Sequence, residues 1–186
     1  MTKRAGHREI LFVAALIAVI TAGSHPAMAA DASAIDSKAK AALAELYKTS
    51  PAAKALGKKA KAILVFPDIV KAGLLIGGQR GDGALLVKGK TAAYYNTTAA
   101  SYGLQAGVQK FGYAMFLMTD SAWTYIDKHD GWEVGVGPSF VLVDEGVAKT
   151  ITTTTAKADI YAFVFSQKGL MGGIGIQGSK ITRIHP

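Results

Sequence analysis

The chain has 186 residues, half of them hydrophobic, a formal net charge of +8 and no cysteine. The missing cysteine excludes disulfides, thiol chemistry and a lipidated cysteine anchor. Glycine supplies 21 residues, well above the usual share of about 7%, and with alternating apolar text this points to curved β structure.

The first segment reads as a leader. Lys3, Arg4 and Arg8 form a positive region, Ile10 to Ile20 is an unbroken apolar stretch, and Ala27-Met28-Ala29 is a small-residue cleavage site. The apolar stretch is short against the roughly 20 residues that span a bilayer. The sequence therefore predicts a cleaved signal peptide over 1–29, export by the general secretory route and a periplasmic protein. The mature chain then starts at Ala30 or one residue later. Residues 30–186 are expected to form one domain.

Residues 33–48 have helical periodicity, with Ile35, Ala39, Ala42, Leu43, Leu46 and Tyr47 on one face. Ser50-Pro51 starts a second, short helix over about 51–60, with a capping hydroxyl and a proline at the first helical position. From Ala62 the text turns to short strands. Ala62–Phe66 stops at Pro67. Gly73–Gln79 and Ala84–Val87 read as a pair joined by an Arg80-Gly81-Asp82-Gly83 turn. Lys88-Gly89-Lys90 turns into Thr91–Tyr95. Further strands are expected at Ser101–Gln109, Tyr113–Met118, Trp132–Val136, Ser139–Val143, Ala148–Thr155, Ile160–Phe165 and Leu170–Gln177. Thr119-Asp120 caps a short helix ending near Asp127. The fold class that follows is α+β: N-terminal amphipathic helices packed on a curved, glycine-rich, mainly antiparallel β-sheet or barrel-like sandwich.

Charge is unevenly placed. Residues 30–61 carry seven lysines against Asp31, Asp36 and Glu45, half of the whole chain's surplus. Lys54, Lys58, Lys59 and Lys61 crowd the second helix and its exit. Such a cluster suits an anionic surface, and it also suits an ordinary solvated helix face.

Catalytic raw material is thin. Beyond the leader only His129 and His185 remain, with no zinc-like spacing. Asp127, Asp130 and Glu133 lack the alternating oxygen ligands of a calcium loop. Ser101, Ser139 and Ser166 have no nucleophile elbow around them. Gly173-Ile174-Gly175-Ile176-Gln177-Gly178 fits G-x-G-x-x-G, but the helix and acidic residue such a site needs do not follow before Pro186. Neither an enzyme, a metal nor a cofactor is expected. Tyr94, Tyr95, Tyr102 and Tyr113 suit base stacking, and Trp123, Tyr125 and Trp132 suit a membrane interface, yet filling or covering a β core explains most of them better. Export argues against nucleic acid.

Four blocks stand in order: AILVFP at 62–67, KAGLLIGGQRGDGALLV at 71–87, SYGLQAG at 101–107, and SQKGLMGGIGI at 166–176 followed by Gln177-Gly178. Together they resemble the SYLF domain family over residues 38–184. The resemblance implies a lipid-binding module, with phosphoinositide head groups as the family's ligand and an N-terminal amphipathic helix with basic residues as the contact. It points to Lys54, Lys58, Lys59 and Lys61, and adds Lys71 and Lys168 from the KAG and SQKGL blocks. Some family members bind actin; an exported protein meets none, so the partner expected here is an anionic phospholipid membrane surface. The alternative is a structural or protein-interaction module of the envelope with no direct lipid role.

Overall fold

The structure is a computed structural model that describes residues 32–143, 148, 156–169, 176 and 178–186. The leader, most of the strand expected at 148–155 and most of that expected at 170–177 lie outside the described residues.

Two helices come first: α1, Ala32–Thr49, and α2, Pro51–Gly57. The buried face of α1 is Ile35, Ala39, Leu43 and Leu46, as its periodicity predicts. Ser50 caps α2 by accepting from the Ala53 N–H at 3.1 Å, and Pro51 stands where no donor is needed. The helix ends at Gly57, with Lys58 as its C-cap, sooner than expected.

The centre of the fold is a single long ribbon. Strand β1, Ala62–Val87, has 26 residues and pairs antiparallel with β2, Lys90–Leu117, of 28. Lys88 and Gly89, at φ 50° and 78°, make the two-residue hairpin turn between them. The sequence reading divides this ribbon into six shorter strands, and the structure corrects that. Pro67 does not stop the strand: it sits in a bulge, where two residues of β1 oppose Gly112, so its missing N–H removes no ladder bond. Arg80 to Gly83 is not a turn: these residues pair in unbroken register with Thr98 to Tyr95.

The real corner lies earlier. Between Gly73↔Gly107 and Leu75↔Gly103 the register shifts, with one residue of β1 opposite three of β2. A Cβ on Gly73 would stand 2.4 Å from the Gly77 Cα, so β1 folds sharply back on itself here. The corner divides the ribbon into two arms that face each other. The Tyr113 hydroxyl donates to Thr97 Oγ1 at 2.9 Å, joining two places on β2 across the interior. Burial pushes that phenol well above its usual range.

The remaining elements extend the arms. Helix α3, Asp120–Lys128, begins at the Thr119 cap as predicted. Strands β3, Gly131–Glu133, β4, Phe140–Val143, β5, Ile160–Gly169, and β6, Lys180–Ile184, follow. β6 and then β3 add to the Lys90–Thr98 arm; β5 and then β4, which pairs with it in parallel, add to the other. The result is one curled, mainly antiparallel sheet preceded by helices, the α+β class read from the sequence. One core fills the curl, with Phe66, Phe111, Tyr113, Met115, Tyr95 and Trp132. A second lies on the outer face, where α1 and α2 cover Ile63, Val65, Ala84, Leu86, Ala114 and Phe116.

Candidate functional site

The predicted lysines fall into two places. Lys54 projects from the last turn of α2, Lys58 caps it, and Lys59 follows in the turn; all three are exposed. The short helix decides this. Leu56 and Ala53 are fully buried against the sheet, so the intervening and following positions must face outward. The C-terminal end of a helix also favours cations.

Lys61 is exposed as well, but its ammonium lies 3.1 Å from the Asp120 carboxylate at the start of α3. Lys38 pairs with Asp68 at 3.8 Å, Lys40 with Asp36 at 2.6 Å and Lys48 with Glu45 at 3.1 Å. Four of the seven lysines between 30 and 61 are thus partly neutralised. Lys54, Lys58 and Lys59 stand exposed at the end of α2.

Lys71 and Lys168 are elsewhere. Lys71 stands nine residues along β1 from Ala62, about 30 Å of extended strand. It is only 8% exposed and faces the inside of the curl, directly opposite buried Gln109. Lys168 is exposed on β5, where its cross-strand neighbour is exposed Lys110. A bulge at Ser166, a non-glycine at φ 54°, sets this register. The structure therefore brings Lys54, Lys58, Lys59 and Lys61 together. It places Lys71 and Lys168 near the ribbon corner, on opposite faces.

The other residues weighed in the sequence have structural roles. His129 Nδ1 lies 2.6 Å from the Tyr125 carbonyl at the end of α3, and its ring packs on Tyr125. Tyr95, Tyr113 and Trp132 are core, and Trp123 and Tyr125 pack against it. Asp159 accepts from Ser139 Oγ at 2.7 Å, Thr119 Oγ1 at 2.7 Å and the Ser139 N–H at 3.0 Å. Those bonds, Ser139's first, hold its carboxyl below the usual range and tie β4, β5 and α3 together. Among the described residues no three His, Asp or Glu side chains converge on a metal-sized site. No helix among them is long and apolar enough to cross a membrane.

Residues 98–185 match the model of the family Ysc84, described as Las17-binding protein actin regulator. Over that span, a little under half of the chain, the protein is similar to the SYLF family. The family is one of binding domains rather than enzymes, associated with actin and lipid. No curated protein matches the chain.

The matched span runs from within β2 through β6. It contains the SYGLQAG and SQKGLMGGIGI blocks; AILVFP and the KAGLL block precede it. Sequence reasoning missed Lys110 within this span. A signal was available: Gln109-Lys110 and Gln167-Lys168 repeat the same dipeptide beside glycine-rich text. Only the register shows that the two lysines are neighbours.

Proposed function

We propose that this SYLF-like protein is a non-catalytic module that binds anionic phospholipid, with phosphoinositide-like head groups as the chemical type, at a membrane surface of the cell envelope. The observation that carries the reading is the cluster of Lys54, Lys58, Lys59 and Lys61, all exposed at the end of α2 and its exit. On this reading the leader at 1–29 is cleaved and the protein works in the periplasm of a bacterial host, where it meets no actin. Each lysine near an anionic surface contributes about 1 kcal/mol within a Debye length. Their contributions add only if they meet the surface together.

The test is sedimentation of the exported protein with vesicles of phosphatidylcholine, with and without phosphatidylglycerol. Binding is expected on the anionic vesicles alone and should weaken as salt rises. The triple reversal Lys54→Glu, Lys58→Glu, Lys59→Glu should lower affinity by about 3 kcal/mol or more, roughly a hundredfold, with an unchanged melting temperature. Equal binding by parent and variant would make the lysines a solvated face only. The second reading, a structural or protein-interaction module of the envelope, is favoured by the four engaged lysines. It becomes the better one if the parent ignores every vesicle.

A further inference from the structure

At the ribbon corner the usual polarity of a sheet is inverted. The face turned into the curl carries Lys71, Gln79 and Gln109, all buried. The face turned out carries Val70, Ala72 and Val108, and beyond the register shift Ile76. Ile76 is 66% exposed, Val108 58% and Val70 40%. Pairing fixes this: Lys71 opposes Gln109, while Val70 opposes Lys110 and Ala72 opposes Val108, so the apolar residues share one side. A one-residue slip would reverse the faces, so a strand that keeps this register is held to it. The cost on the inner side is visible, because Gln109 Oε1 is buried with no hydrogen-bond partner. Local rules broken in this way are expected at functional positions.

The surroundings define what covers the apolar side. The second core, under α1 and α2, involves the outward residues at the ribbon's ends, and Val70, Ala72, Ile76 and Val108 are not among its residues. Cations flank the corner on both sides. On one arm Lys110 and Lys168 are direct cross-strand neighbours, both exposed, an arrangement that repels itself unless an anion lies between. Lys110 is two residues, about 7 Å, from Val108. On the other arm Arg80 is exposed, four residues or about 13 Å of strand beyond Ile76. Beside the apex, glycine at 73, 77, 78 and 107 keeps the backbone bare and narrow. An apolar apex with cations set back on each flank matches the layering of an anionic bilayer surface, hydrocarbon beneath phosphate. A protein partner of ordinary composition does not present that order.

We propose that the corner of the β1–β2 ribbon is a membrane-inserting wedge: Ile76 and Val108 enter the apolar layer, and Lys110, Lys168 and Arg80 pair with lipid phosphates. This rests on the lipid reading above and adds to it a second contact, remote from α2, that holds by apolar insertion rather than by charge alone.

The chain has no cysteine, so a single introduced thiol reports one position. Exported Ile76→Cys protein is labelled with a polarity-sensitive dye and mixed with phosphatidylglycerol-containing vesicles, and sedimentation is followed in the same samples. Thr124→Cys, on exposed α3, is the reference. Emission at position 76 should shift to the blue on binding and be quenched by nitroxide-bearing lipid, while position 124 stays aqueous. Sedimentation with no shift at 76 overturns the wedge and leaves the lipid reading standing. No sedimentation overturns both. A shift that grows with protein concentration before lipid is added makes the corner a self-association surface and overturns the wedge. As a second measure, Ile76→Ser with Val108→Ser should lower vesicle affinity roughly tenfold, with the melting temperature and the salt dependence kept. Unchanged affinity in that variant overturns the wedge.

Discussion

The packed arms of the β1–β2 ribbon and the corner between them are built from the same kind of text, glycine among branched apolar residues, and they end up in opposite environments. At the hairpin end the arms are pressed together and covered by α1 and α2. A Cβ on Gly83 would meet the Val65 carbonyl at 2.4 Å and the Phe66 ring at 2.6 Å, and one on Gly81 would meet the Asp68 carbonyl at 2.6 Å. Here glycine permits backbone-to-ring contact and a dry core. At the corner a Cβ on Gly78 would meet only the Ala99 carbonyl, at an ordinary 3.7 Å. Glycine content thus marks both closeness and bareness, and the difference is set by what lies across the arm.

Large-to-small replacements should separate the arms from the corner most widely. Phe116 is fully buried, edge-on to Phe163 with centroids 5.3 Å apart. Phe116→Ala is expected to cost about 3–5 kcal/mol. Val108→Ala, at the corner, should stay within about 0.5 kcal/mol. Urea titration of both variants measures this, and a corner variant that costs as much as the core one would show the corner to be packed.

Adding volume tests the same contrast from the other side. Gly83→Val must displace backbone and ring, and should cost about 3 kcal/mol. Gly78→Val should be nearly neutral in stability by the same titration. Equal losses would mean that strand geometry, not contact across the arms, fixes both glycines.

The smallest effect expected is in pH. Asp159 and Asp36 have folded pKa values below their ordinary 3.8, Asp159 first through Ser139 and Asp36 first through Lys40. Their contribution to stability is therefore complete above that value and is lost as pH falls through the lowered one. Asp159→Asn should flatten the acid limb of the stability curve, leaving the plateau near neutrality slightly lower. Both carboxylates serve the closed part of the fold, so hydrogen exchange on acidification should rise first around α3 and β4. Uniform opening at the corner instead would contradict that assignment.

Much was legible in the chain itself, because it depends on neighbours a few residues away. The buried stripe of α1, the Ser50 and Thr119 caps, the Lys88-Gly89 turn and the α+β class all follow from periodicity and local hydrogen bonding. The core role of Tyr95 and Tyr113 was also readable as the ordinary fate of aromatics in strands. Short β6 was not seen, since KITRI offers only a brief alternation. Nor was the continuity of β1, because alternation cannot distinguish one bulged strand from two strands and a glycine turn. The fate of the lysines was decided by tertiary structure alone. Lys54 and Lys71 are alike as sequence, yet one faces water and the other the interior of the curl. The sum of bulges along the ribbon sets which side each residue faces, and that sum exists only once the strands have paired. The same pairing put Lys110 beside Lys168 and turned Ile76 and Val108 outward, two facts about side-chain direction that no window of the chain contains.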